Sequence, residues 1–164
     1  MRIQKISTCL WFDNEAEEAV NFYISIFRNS RILRITRYGK EGYDIHQKPE
    51  GTVMTVEFEL EGQRYLALNG GPAFHFSEAI SFVINCDNQE EIDFYWDRLS
   101  VGGDEKAKQC GWLKDQYGLS WQVVPPVLST MLQDSDAERS ARVMRAMLHM
   151  KKIDIHELEE AYAG

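Results

Sequence analysis

The stretch TVMTVEFELEGQRYLALNGGP, residues 52–72, decides how the rest of the chain is read. From Thr52 to Leu60 the residues alternate, with Val53, Thr55, Glu57 and Glu59 on one side and Met54, Val56, Phe58 and Leu60 on the other. That period of two is the pattern of a half-buried strand, and it turns the two glutamates outward, toward solvent or a partner. Glu61-Gly62 then reverses the chain into a hairpin partner over Gln63 to Leu68, closed by Asn69-Gly70-Gly71-Pro72.

Working back from the hairpin, Gly39 to Gly51 carries three glycines and a proline among polar residues and reads as a loop. Ser30 to Tyr38 reads as a strand. Asn14 with Glu17 makes a capping box for a helix over about 15–27, in which Ala16, Ala19, Val20, Tyr23, Ile26 and Phe27 recur at helical spacing. Ile6 to Phe12 has the composition of a buried strand, which would also bury Cys9.

Working forward, the same order starts again. Ala79 to Asn85 is a strand, Asn88 and Glu91 form a second capping box, and Ile92, Tyr95, Trp96 and Leu99 mark a helix face. Short strands are expected around Glu105 to Gln109 and Trp112 to Asp115, and a last one from Leu119 to Val124, ended by Pro125-Pro126. Strand, helix and three strands thus recur at an offset of roughly 73 residues, a weak internal duplication. The expectation is an α+β fold of two βαβββ half-modules, about 4–72 and 77–126, forming one paired domain over 1–126 with eight strands. The remainder, 127–164, reads as a helical extension in three parts: Val127 to Gln133, a helix capped by Ser135 with Glu138, and one capped by Asp154 with Glu157. Such a tail has to cover its own sheet or a second subunit, and its apolar face points to a homodimer.

At 164 residues the chain suits a single domain, and 44 % apolar residues suit an ordinary globular protein. No apolar run approaches the ~20 residues that cross a bilayer, and Met1 to Lys5 lacks the apolar core of a signal peptide, so the expected location is the cytoplasm, away from membranes. Twenty-six acidic against eighteen basic residues give a formal charge of −8, which makes nucleic acid a poor partner. Cys9, Cys86 and Cys110 are too widely spaced for a CxxC metal knuckle and read as reduced thiols.

Several short stretches then resemble one family. They are Cys9-Leu10-Trp11-Phe12, Ala19-Val20-Asn21-Phe22-Tyr23, Ala67-Leu68-Asn69-Gly70-Gly71-Pro72 with Phe74 and Phe76, Ala79-Ile80-Ser81-Phe82, and Cys110-Gly111-Trp112 with Asp115, Gly118, Trp121, Gln122 and Val123. Over about residues 4–125 the chain resembles the vicinal-oxygen-chelate superfamily of glyoxalases, extradiol dioxygenases and bleomycin-resistance proteins. More closely it resembles the PhnB-like branch, labelled 3-demethylubiquinone-9 3-methyltransferase domains. The resemblance implies curved modules around a cavity, and in metal-dependent members a divalent ion held by up to four side chains.

Carried over by position, those four places fall at Thr8, Asn69, Ser81 and Gln122, none of them a histidine or a carboxylate. Neutral oxygens do not offset the dehydration of Zn²⁺, Mn²⁺ or Fe²⁺, so no metal and no cofactor is expected. The same side chains suit a small molecule instead, with Trp112 as an aromatic wall, Cys110 at the mouth of the second module and His75 after the Gly-Gly-Pro turn. Alternation also predicts that if Gln122 faces the cavity, Trp121 packs behind it. The expected function is small-molecule binding through neutral polar and aromatic residues, with methyl transfer disfavoured. The alternative is a divalent-metal-dependent lyase or isomerase of the glyoxalase or dioxygenase type.

Overall fold

Alternation in residues 53–69 builds the middle of a four-stranded sheet. In the computed structural model, which describes residues 4–164, the chain forms two units, one ending at His75 and one running from Phe76 to Gly164. Residues 1–3, part of the opening segment considered above, lie outside the described residues. The first unit contains β1 (Thr8–Phe12), α1 (Ala16–Ile26), β2 (Arg31–Arg37), the one-turn helix α2 (Tyr43–His46), β3 (Val53–Leu60) and β4 (Gln63–Asn69). Its sheet runs β1-β4-β3-β2, with β1 and β4 parallel and the other pairs antiparallel.

The face bearing Val56, Phe58, Leu60, Ala67, Leu10 and Phe12 is buried under α1, whose Ala16, Ala19, Val20, Tyr23 and Ile26 form the matching stripe. Removing these side chains from water is the main favourable term holding the unit together. Glu57 and Glu59 lie on the opposite face, as the alternation requires, and pair with Arg34 at 3.1 Å and Arg31 at 3.2 Å on the neighbouring strand. Cys9 shares that open face and is exposed, a correction to its expected burial: only every second residue of β1 meets the helix.

The predicted Asn14 capping box does not form. No side chain of the local segment caps α1; the amide oxygen of Asn69, from β4, accepts the Ala16 N–H at 2.8 Å. The loop over 39–51 also holds one helical turn, α2, entered by Gly42 at φ 77°.

The second unit contains β5 (Ser81–Asn85), α3 (Gln89–Leu99), β6 (Trp112–Lys114), β7 (Ser120–Val124), α4 (Pro126–Leu132), α5 (Ala137–His149) and α6 (Ile155–Ala163). Its sheet order is β5-β7-β6, with the first and last strands again parallel neighbours, as β1 and β4 are in the first unit. The architecture is therefore an α+β fold of repeated βαβββ-like modules with a helical C-terminal segment.

The expected strand over Glu105 to Gln109 is a correction. Residues Glu105–Ala107 form a 3₁₀ turn, because the Asp104 carboxylate accepts the Lys106 N–H at 2.9 Å and locks a local turn. The described residues thus hold seven strands rather than eight. Only Gln109 retains ladder character, bridging Trp112 across a two-residue turn in which Cys110 (φ 51°) and Gly111 (φ 82°) are both left-handed, the geometry of a tight hairpin.

The tail is tied into this unit rather than appended to it. Cys110 and Gly111 donate their N–H groups to the carbonyls of Met150 (2.9 Å) and Lys151 (2.8 Å). Gln89, on the first turn of α3, donates to the Ile153 carbonyl at 3.1 Å and accepts from the Ile155 N–H at 2.9 Å. Lys152 hydrogen-bonds Asp93 at 2.8 Å, which holds that carboxyl below the usual range and raises the lysine above its own. A side chain at position 111 would meet Ile153, Val124 and the Val123 carbonyl at 3.0 Å, so the fully buried Ile153 needs glycine there. The long tail helix is capped by Asp136 rather than Ser135, while the Asn88 and Asp154 caps form as read. Among the described residues no helix is long and apolar enough to cross a membrane.

Candidate functional site

The three-stranded sheet packs one face against α3, and within this unit its other face is bordered by α4 and Met147 of α5. On β7 the alternation separates Trp121 and Val123, both buried, from Gln122 and Val124, which look outward from the helix side. Strand register sets Gln122 between Val83 of β5 and Trp112 of β6, and places Asn85 beside Val124. These five side chains form the floor of a cleft of about 480 Å³. Beyond Pro125-Pro126 the chain turns into α4, so Leu128, Ser129, Leu132 and Gln133, with Met147 of α5, form its wall, and Cys110 stands at the hairpin tip.

A buried carboxylate aims this floor. Asp115, 2 % exposed, accepts the N–H groups of Tyr117 (2.9 Å) and Leu119 (3.0 Å) through one oxygen and the indole N–H of Trp121 (2.8 Å) through the other. The turn at Gln116-Tyr117-Gly118 is thereby bound to the start of β7 with Trp121 fixed inward, and Gln122 must point the other way. Phe82 packs edge-on against the Trp121 ring at 5.2 Å on the same inner side.

The residues singled out from the sequence fall in different places. Ser81 and Gln122 meet, the glutamine amide donating to the serine hydroxyl at 2.9 Å, and Gln122, Trp112 and Cys110 all line the cleft. Thr8 and Asn69 lie in the first unit on the helix-facing side of their sheet, in register with Tyr65 and Phe12 respectively. Both ends of the Asn69 amide are engaged, by the Ala16 N–H and by the Val53 carbonyl at 3.0 Å, while its own carbonyl accepts the Tyr38 hydroxyl at 2.6 Å. His75 is exposed.

The donor set does not fit a divalent ion. Gln122 and Ser81 are bonded to each other, Asn69 is committed to backbone groups, and all four carried-over side chains are neutral. Among the described residues no three histidine, cysteine, aspartate or glutamate side chains are grouped to hold one. Of the cysteines, Cys86 is fully buried, and burial first, then the charges of Glu91 and Asp87, push its thiol up to about 12. Cys110 is the thiol that borders the cleft.

Asn85 and the α4 residues were not foreseen as lining. Asn85 was legible, since it alternates with Ser81 and Val83 on β5; where α4 comes to rest against the sheet has no signature in the sequence. A second groove of about 570 Å³, bordered by α4 and Tyr162, is more polar, and four of its side chains pair with one another: the Tyr162 hydroxyl donates to Asp134, and Gln133 donates to the Ser129 hydroxyl at 2.8 Å.

Gly70 and its neighbours complete the picture in the first unit. The Trp11 indole lies on Gly70, where an added Cβ would sit 2.2 Å from the ring, and its N–H donates to the Gly71 carbonyl at 2.8 Å. The glycine turn is thus filled by an aromatic side chain.

Comparison with known proteins agrees with this architecture. Residues 4–124 match the family described as 3-demethylubiquinone-9 3-methyltransferase. A PhnB protein of Bacillus cereus, described as a 3-demethylubiquinone-9 3-methyltransferase, is 38 % identical, with 74 % of this chain and 99 % of that one covered and a TM-score of 0.63. Protein PA1353 of Pseudomonas aeruginosa (16 % identity, 74 % and 96 % covered, TM-score 0.55) shares the fold. So does the fosfomycin resistance protein FosX of Listeria monocytogenes, solved with Mn(II) and sulfate (17 % identity, 81 % and 98 % covered, TM-score 0.51). No curated protein matches the chain. On the family match and the 38 % identity to the Bacillus protein, this chain belongs to the 3-demethylubiquinone-9 3-methyltransferase family, the PhnB-like branch of the vicinal-oxygen-chelate superfamily.

Proposed function

We propose that this protein binds a small molecule in the cleft of its second unit, against Gln122, Asn85 and Trp112, and that it does not transfer methyl groups. The observation that carries the reading is the lining itself: an apolar, concave surface of about 480 Å³ with two carboxamides and one indole on its floor. That is the size and composition of small-molecule sites in general. Among the described residues its lining has no carboxylate, imidazole or amine to move a proton, which favours binding over acid–base chemistry.

The family label does not carry over as an activity. Nucleotide-like cofactors are commonly held by a glycine-rich loop between a strand and a helix of a parallel sheet. Here the Gly70-Gly71 turn follows an antiparallel hairpin and is occupied by Trp11. The metal-dependent lyase or isomerase reading lacks charged ligands at the corresponding positions.

Tryptophan fluorescence across a small-molecule library tests the proposal, with Trp112→Phe as the control. Saturable quenching that disappears in the variant, without product formation, is the expected outcome. Turnover of the ligand, quenching unchanged by the variant, or micromolar binding of S-adenosylmethionine would overturn it. A homodimer belongs to the same proposal, supported by Met144 (40 %) and Leu148 (51 %), exposed one turn apart on α5. Sedimentation should give twice the 19.0 kDa of one chain, and a monomer at micromolar concentration would remove the dimer.

A further inference from the structure

We propose that the cleft selects uncharged ligands that present a donor–acceptor edge, such as a carboxamide or lactam, on a planar apolar body. The inference rests on the reading of the cleft as a ligand site and goes beyond it by naming the chemical class. The chain carries 26 acidic and 18 basic residues, yet among the described residues no aspartate, glutamate, lysine, arginine or histidine lines this cleft. A charged guest would give up water without meeting a counter-charge.

The two polar side chains of the floor are both carboxamides, while on the wall Gln133 donates to the Ser129 hydroxyl and Cys110 stands at the hairpin tip. The Gln122 amide donates to Ser81, and its carbonyl oxygen has no partner among the described residues. Asn85, one strand over and two positions on, has no side-chain partner among them at all, so its amide offers both donors and an acceptor. With parallel strands about 4.8 Å apart and a rise of about 3.3 Å per residue, the two Cα atoms lie roughly 8 Å apart, within reach of one ligand edge. A carboxamide or lactam offers a donor and an acceptor side by side, and so answers both groups. Around them Val83, Val124, Leu128 and Leu132 supply apolar surface, and Trp112 supplies a flat one.

The test uses the full chain and three probes of equal size: naphthalene carboxamide, naphthalene carboxylate and naphthylmethylammonium. Binding is followed by amide NMR of the nitrogen-labelled protein, reading the Trp112 indole N–H and the Gly111 N–H. The carboxamide should bind at least about tenfold more tightly than either ion. Gln122→Leu should remove most of that preference while leaving the apolar contribution, and Asn85→Ala, on an exposed strand position, should reduce it without affecting folding. Equal or tighter binding of either ion at these signals would overturn the ligand class and leave the site standing. Shifts from none of the three probes at millimolar concentration would overturn the class and the binding site together.

Discussion

Asp115→Ala should lower the unfolding free energy by about 4 kcal/mol, the largest effect of any single substitution outside the apolar core. Three N–H groups converge on this carboxylate, from Tyr117, Leu119 and the Trp121 indole, at 2.8–3.0 Å, and the group is almost wholly buried. Bonds to a charged acceptor contribute about 1.5–3 kcal/mol each, less when they act together, and deleting the acceptor leaves buried donors unsatisfied. Asp115→Asn should cost about half as much, since one oxygen is kept while an amide N–H₂ now faces the indole donor. Urea unfolding followed by circular dichroism measures both. A loss below about 1 kcal/mol for the alanine variant would mean that the turn holds the β7 register without its carboxylate.

Asn69→Leu should cost about 3 kcal/mol by the same measurement. The amide supplies the cap that α1 lacks locally and satisfies the Val53 carbonyl of β3, so its loss strands a helix N–H and a strand carbonyl together. Asn69→Asp should fall between the leucine variant and the native protein. A carboxylate keeps the Ala16 contact and suits a helix N-terminus, but it repels the Val53 carbonyl. A leucine variant as stable as the native protein would show that Asn69 is not what joins helix and sheet in the first unit.

These two positions also mark where the sequence was readable and where it was not. The alternation over 52–60 placed Phe58 inside and Glu57 outside correctly, and the same rule set Trp121 and Gln122 on opposite faces. Local chemistry was legible where it stayed local, as at the Asn88 and Asp154 caps. It failed where a distant residue took the role: Asn69 caps α1 from 53 positions away, and nothing near Asn14 reveals it. The Glu105 to Gln109 strand failed for the opposite reason. Its pattern was weak, and a single side chain, Asp104, turned the backbone before a ladder could form.

The site divides in the same way. Gln122, Trp112 and Cys110 were marked from the sequence and meet in one cleft, because strands neighbouring in sequence are neighbours in the sheet. Asn85 was within reach of the same argument. Leu128, Ser129 and Leu132 were not, since where a helix comes to rest against a sheet depends on packing that no short pattern encodes. Thr8 and Asn69 correspond by position to Ser81 and Gln122, yet they sit on the helix-facing side of their sheet while the latter pair sit on the face away from α3. Sequence position by analogy carries no information about which face of a strand a residue occupies when the strand's own alternation is left out.

Crystals of the full chain soaked with a library of small neutral compounds test directly whether the cleft of the second unit is a ligand site. Ligand density is expected over the Trp112 ring, within hydrogen-bonding distance of Gln122 or Asn85 and beside α4. Bound compounds found elsewhere, with this cleft empty throughout, would contradict it.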